Sequence, residues 1–226
     1  KSITWRSKVI WEEAKRRGLH VTAETCPHYL LLDGREMLDK LGPLAKIAPP
    51  MRIQAEADLL WEKVQSRAID FIATDHAPYE LATEKEATGM NIWTSFPGIP
   101  GVETMVPLLM AEVRNGRIDL VSLIEKTSYR PSDILGIPRA GFSPGDRADF
   151  GIYPHTITKI APELLHSKAG WTPFEGCDAV FPEIVLVDGG IRYQEGEFFP
   201  GNSGWYVGRG YIGGRHKMNG ADTAHS

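Results

Sequence analysis

The chain has 226 residues, 42% hydrophobic and 24% charged, with a formal net charge of −4. That is the composition of a globular protein, long enough for one large domain or two small ones. The mildly acidic balance excludes a basic footprint for nucleic acid, and no run of about 18 apolar residues offers a membrane span. The two cysteines, Cys26 and Cys177, cannot build a disulfide framework. They fit a reducing cytoplasm, each as a small buried hydrophobe.

Residues 3–17 carry Trp5, Val9, Ile10 and Ala14 at helical spacing and are closed by Gly18. This opening helix reads as the second half of a βα unit. Residues 19–24 read as a short strand running into the turn-rich Thr25-Cys26-Pro27-His28. A helix over 33–41 ends at Gly42-Pro43, and 46–50 is extended because Pro49 and Pro50 cannot donate to a ladder. Residues 54–66 form an amphipathic helix with Leu59, Leu60 and Val64 on one side. The next strand, 69–74, ends abruptly in Asp75-His76, and Pro78 stops it.

The polar stretch 79–94 is long enough to predict a functional loop rather than a simple connection. Phe96 to Gly101 leads into a helix over 102–114, and Asp119 can cap a helix over 120–127. A short helix over 132–135 ends at Gly136. Beyond it the pattern changes to short strands at 150–153, 183–187 and 191–193, with turn signals at Asp188-Gly189-Gly190 and Glu195-Gly196.

Alternating strands and helices imply parallel βα units. Two such units cannot close a sheet or bury both of its faces. The expectation is therefore the end of a larger α/β barrel over 1–140 and an accessory β segment over 141–200. A glycine-rich tail over 201–226 follows, poorly ordered beyond Tyr211.

Asp75 is the leading candidate for chemistry. Barrel active sites lie at the C-terminal ends of strands, where an Asp can ligate a metal or move a proton. The alternative is a carboxylate that caps a nearby loop. His76 reads as a packed or supporting histidine, and His28 as a loop histidine bonded to backbone. Glu24 organises its turn. Pro97-Gly98-Ile99-Pro100-Gly101 would bring backbone rather than side chains to a site, since Gly permits close approach. Asp149 ties down the turn before residue 150. The histidines at positions 20, 28, 76, 155, 166, 216 and 225 contain no His-x-His pair. There is no His-Glu-x-x-His, Cys-x-x-Cys, Gly-x-Ser-x-Gly or P-loop. This set of residues cannot enclose a catalytic metal unaided, because such zinc sites need about three or four protein ligands.

Several segments together resemble one family. Glu24-Thr25-Cys26-Pro27-His28-Tyr29-Leu30, Lys46-Ile47-Ala48-Pro49-Pro50-Met51-Arg52, Ala73-Thr74-Asp75-His76-Ala77-Pro78, Gly98-Ile99-Pro100-Gly101-Val102-Glu103-Thr104 and Gly145-Asp146-Arg147-Ala148-Asp149-Phe150 come in the order seen in dihydroorotases. Those are cyclic amidohydrolases, a group that includes allantoinase and hydantoinase. Gly170 to Gly176 is similar to a late segment of the same group. The resemblance implies the C-terminal portion of a (β/α)8 TIM-type barrel of the metal-dependent hydrolase kind, followed by strands of a small β-sandwich. It implies a one- or two-zinc site and the interconversion of N-carbamoyl-aspartate and dihydroorotate, a step of pyrimidine biosynthesis. A metal-activated hydroxide attacks the ring amide, and Asp75 matches the residue that ligates metal and passes the proton to the leaving nitrogen. Pro97 and Gly98 match a backbone pair that holds the substrate ring.

Two positions depart from the dihydroorotase pattern. Ala48 stands where an Asn binds substrate, and Tyr79 stands where a second His follows the Asp. Hydantoinases and allantoinases tolerate a small residue at the Ala48 position, which keeps a hydantoin, allantoin or dihydropyrimidine as the rival substrate. The family's remaining metal ligands would precede Lys1, so this stretch alone is expected to be inactive. A third reading is an inactive homologue that acts as a scaffold. The expected partners are a small cyclic amide, further copies of the protein and aspartate transcarbamoylase.

Overall fold

The computed structural model describes residues 8–86, 89, 91–201 and 204. The start of the first expected helix and nearly all of the glycine-rich tail lie outside these residues. The elements run, in chain order, α1 (Lys8–Arg16), β1 (Glu24–Thr25), α2 (Pro27–Leu31), α3 (Gly34–Leu41), α4 (Gln54–Gln65), β2 (Phe71–Ile72), α5 (Met105–Arg114), α6 (Leu120–Ile124) and α7 (Arg130–Leu135). They continue with β3 (Phe150–Ile152), β4 (Thr158–Lys159), β5 (Asp178–Ala179), β6 (Ile184–Val187), β7 (Gly190–Gln194) and β8 (Glu197–Phe198). No described helix is long and apolar enough to cross a membrane.

The chain divides into two compact units. The first comprises Lys1–Thr127 and His155–Phe181, the second Ser128–Pro154 and Pro182–Ser226. This differs from the expected boundary at residue 140, since 155–181 joins the first unit. The reason is a returning segment. Ile160, Phe174 and Ala179 are buried in one apolar cluster with Leu32 and Leu108, and Cys177 packs against it. The apolar contacts of residues 155–181 thus lie with the helical half.

In the first unit β1 and β2 pair in parallel, Glu24 opposite Phe71 and Thr25 opposite Ile72. Parallel neighbours need a long crossover, here α2, α3 and α4. Asp33 starts α3, its carboxylate accepting the Arg35 and Glu36 N–H groups. In α4 the buried side is Ala57, Leu60, Trp61 and Val64, while Leu59, expected beside them, is 40% exposed. Trp61 replaces it because its indole N–H reaches the Leu30 carbonyl at 2.8 Å. Lys15 of α1 forms an ion pair with Asp70 at 2.8 Å. The Asp70 carboxylate also accepts the Ala23 N–H at 2.7 Å, which fixes the approach to both strands.

The second unit is a four-stranded antiparallel sheet in the order β3-β6-β7-β8. Its hairpins use the residues the sequence pointed to. Asp188-Gly189 and Glu195-Gly196 all have positive φ, the backbone of a two-residue turn that matches strand twist. Asp149 pairs with Arg147 and accepts the Asp188 N–H of the β6–β7 turn at 2.6 Å, whereas the turn before β3, which it was expected to hold, is closed by Asp146, whose carboxylate accepts the Ser143 N–H at 2.9 Å.

Candidate active site

Asp75 lies three residues past β2, exposed, with φ of +48°. The left-handed region is costly for a residue with a Cβ and persists where surrounding structure holds it. The hold comes from its neighbour. His76 forms a parallel bridge with Ile99, and the Ala77 N–H donates to the Ile99 carbonyl at 3.0 Å. The His76 Nδ1 accepts the N–H of Gly101 at 3.0 Å and of Val102 at 3.2 Å. An accepting Nδ1 puts the proton of the neutral ring on Nε2. Burial lowers the pKa of His76, which favours that neutral form. His76 is thus a supporting histidine.

The same bridge brings Gly98 beside the Asp75 strand end. Gly98 is buried with φ of +149°, and a Cβ there would lie 2.4 Å from the Cβ of Ala77 and 3.0 Å from the Tyr79 ring. Only glycine lets these three loops close on one another. The Gly98 N–H donates to the Lys46 carbonyl at 2.9 Å, and Pro97 has no N–H. The pair can therefore present a ligand with carbonyl acceptors only. Pro97 and Ala48 are exposed. Ala48 lies two residues from the Lys46 anchor, and the Tyr29 hydroxyl binds the next carbonyl, that of Pro49, at 2.8 Å. Burial raises the Tyr29 phenol, with smaller contributions from Cys26 and from the negative charge of Asp75.

Tyr79 is half-buried. Its ring stacks on Phe96 with centroids 5.1 Å apart, and its carbonyl accepts the Trp171 indole N–H at 3.0 Å. Asp75, Tyr79, Pro97, Gly98 and the chain beside Ala48 thus come together around the end of β2.

His28 departs from expectation. It lies in α2, 2% exposed and edge-on to Tyr29 at 4.2 Å. Its Nε2 has no hydrogen-bond partner among the described residues, so at that atom the expected bond to backbone is not made. Burial pushes its pKa down to about 3. The ring is held neutral because a charge there would lack solvation.

Among the described residues no group of three or more His, Cys, Asp or Glu side chains could hold a metal ion. Asp75 offers one carboxylate donor, too few for a site of its own. The sequence reading did not single out Lys85 and Trp171, both buried against Tyr79. Nothing in a polar stretch marks which lysine will be covered.

No protein-family model matches the chain. A dihydroorotase from Methanosarcina acetivorans is 38% identical over 194 residues, covering 80% of this chain and 40% of that protein. The dihydropyrimidinase of Brevibacillus agri superposes with a TM-score of 0.80 at 26% identity, covering 86% of this chain and 44% of that one. An inactive dihydroorotase-like domain of a CAD-like multifunctional protein from Chaetomium thermophilum matches with a TM-score of 0.58 at 17% identity over 88% of this chain, a likeness of fold alone. The motifs around Asp75 and Gly98 and the identity spread over four-fifths of the chain lead to one assignment: this chain belongs to the dihydroorotase family of cyclic amide hydrolases, and spans about 40% of the length of such a relative.

Proposed function

We propose that the protein carrying this chain is a dihydroorotase-like cyclic amide hydrolase. In it Asp75 is both a metal ligand and the proton shuttle, and Tyr79, Pro97, Gly98 and Ala48 line the substrate. In this reading β1 and β2 are the last two strands of a (β/α)8 barrel, and the four-stranded sheet belongs to the accessory β-sandwich. The observation that carries it is Asp75 itself. An exposed carboxylate is held at φ of +48° beyond a parallel strand, next to a glycine that no other residue can replace.

Each residue has a task in this chemistry. Asp75 takes the proton released when water adds to the ring carbonyl and returns it to the departing ring nitrogen. The Pro97 and Gly98 carbonyls accept ring N–H donors, which a cyclic amide has and its carbocyclic analogue lacks. The Tyr79 hydroxyl can donate to a substrate oxygen. Zinc, held by Asp75 together with ligands outside the described residues, would supply the positive charge that acidifies water to about neutral pKa.

A second substrate reading has its own support. Ala48 and Tyr79 depart from the dihydroorotase pattern, and the superposed dihydropyrimidinase is an enzyme of that other kind. Full-length, zinc-loaded protein assayed on dihydroorotate, hydantoin, dihydrouracil and allantoin decides between them. Turnover of dihydroorotate at least about tenfold above the others is expected, a ratio that one or two specific hydrogen bonds supply. Turnover of hydantoin or dihydrouracil alone transfers the assignment to the second reading, and turnover of none removes both.

A further inference from the structure

The side chain of Lys85 is fully buried, an unusual place for a lysine. It closes a single wide helical turn, Leu81–Lys85, in the polar loop after Asp75. Its ammonium donates to the Phe96 carbonyl at 2.7 Å and lies 3.4 Å from the Leu44 carbonyl. It also sits 5.7 Å from the centroid of the Tyr79 ring and 5.5 Å from that of Trp171, both within cation–π range. Trp171 in turn holds the Tyr79 carbonyl, and Tyr79 stacks on Phe96. One cation therefore touches three loops: 42–46, whose Lys46 carbonyl anchors Gly98; 79–86, which carries Tyr79; and 96–98, which carries the two acceptor carbonyls. Phe96 directly precedes Pro97.

We infer that Lys85 is a positioning residue for substrate binding: from behind the site, its ammonium fixes the Phe96-Pro97-Gly98 backbone and the Tyr79 ring in the geometry that receives the cyclic amide. This rests on the reading of Tyr79, Pro97 and Gly98 as the substrate wall. In this role Lys85 acts on the substrate only through the Phe96 carbonyl and the Tyr79 ring. Its contribution is made equally before and during the chemical step, so its loss raises KM and spares kcat. A purely structural lysine would lower the amount of folded enzyme and leave KM untouched. Burial, followed by the charge of Lys46, lowers the Lys85 pKa to about 8. Such a value leaves the ammonium the main form at neutral pH, as the two carbonyl contacts require.

The test compares full-length wild-type enzyme with Lys85→Met and Lys85→Arg on whichever cyclic amide the wild type opens. Lys85→Met is expected to raise KM about tenfold or more with kcat within about threefold. Lys85→Arg, which keeps a cation able to reach the Phe96 carbonyl, recovers at least about half of that loss on a logarithmic scale. Unchanged KM in soluble Lys85→Met, or kcat falling as far as KM rises, overturns the assignment. If Lys85→Met does not fold, Trp171→Phe serves instead. It removes the indole N–H bond to Tyr79 and weakens the ring's contact with the Lys85 ammonium, and KM must rise at least about threefold with kcat unchanged, or the assignment fails. A wild-type enzyme that opens no cyclic amide defeats the functional reading and this inference with it. Wild-type turnover with an unaltered KM in the variants defeats this inference alone.

Discussion

The imidazole of His76 accepts the backbone N–H of Gly101 across 3.0 Å. That bond joins the end of β2 to the approach of α5. It also accounts for an Asp-His pair in which the aspartate is exposed and the histidine is turned inward. Replacing His76 with Ala leaves two amides, those of Gly101 and Val102, without their acceptor. A cost of about 1–3 kcal/mol is expected, because the amides lose their partner without being removed. Urea denaturation of the full-length protein measures it. His76→Asn, which can still accept, should recover part of the loss.

Gly98→Ala is expected to cost more than its single methyl suggests. The new Cβ would meet the Cβ of Ala77 at 2.4 Å in a backbone at φ of +149°. Strain of this kind is about 1–3 kcal/mol. The relief available is movement of the 96–98 loop or the Tyr79 ring, so KM should rise by at least about tenfold. Steady-state kinetics with the preferred cyclic amide check this.

The fold was legible where local chemistry is strong. Asp119 caps its helix as its position suggests, and both Asp-Gly and Glu-Gly turns join neighbouring strands. It was illegible where elements are too short to show a period. The two-residue strands β4 and β5 pair only because the chain returns, Thr158 opposite Ala179, and no alternation can announce a strand of that length. For the same reason the return of 155–181 to the first unit was missed. The exposed position of Asp75 beyond a strand could be read from an apolar run that ends in a carboxylate. The burial of Lys85 could not, since it depends on Tyr79, Trp171 and Phe96 meeting from distant parts of the chain.

His28 predicts a pH dependence of stability. Its folded pKa is about 3 against 6.5 for the free group. Above pH 6.5 both folded and unfolded forms are neutral, and His28 has no effect. Below it the unfolded chain binds the proton first, so stability falls as pH drops from about 6.5 toward about 3. The slope approaches about 1.4 kcal/mol per pH unit for one proton. His28→Leu should flatten that part of the profile measured by denaturation midpoints, and an unchanged slope would place the titration elsewhere.

Ala48 offers a gain-of-function test. An asparagine there would add an amide to an exposed position beside the Gly98 anchor. If dihydroorotate is the substrate, Ala48→Asn should lower its KM by about three- to tenfold, the value of one added hydrogen bond. The KM for hydantoin should move less. Equal changes for both rings would mean that position 48 does not read the substrate.

The central claim is that Asp75 moves the proton. Asp75→Asn keeps the side-chain shape, removes the base and weakens one metal ligand, so it is compared with wild type in full-length enzyme of matched zinc content. The kcat for ring opening should fall by about 100- to 10,000-fold, the usual worth of a positioned general base, while the denaturation midpoint stays close to that of wild type. A kcat within about threefold of wild type would contradict the account.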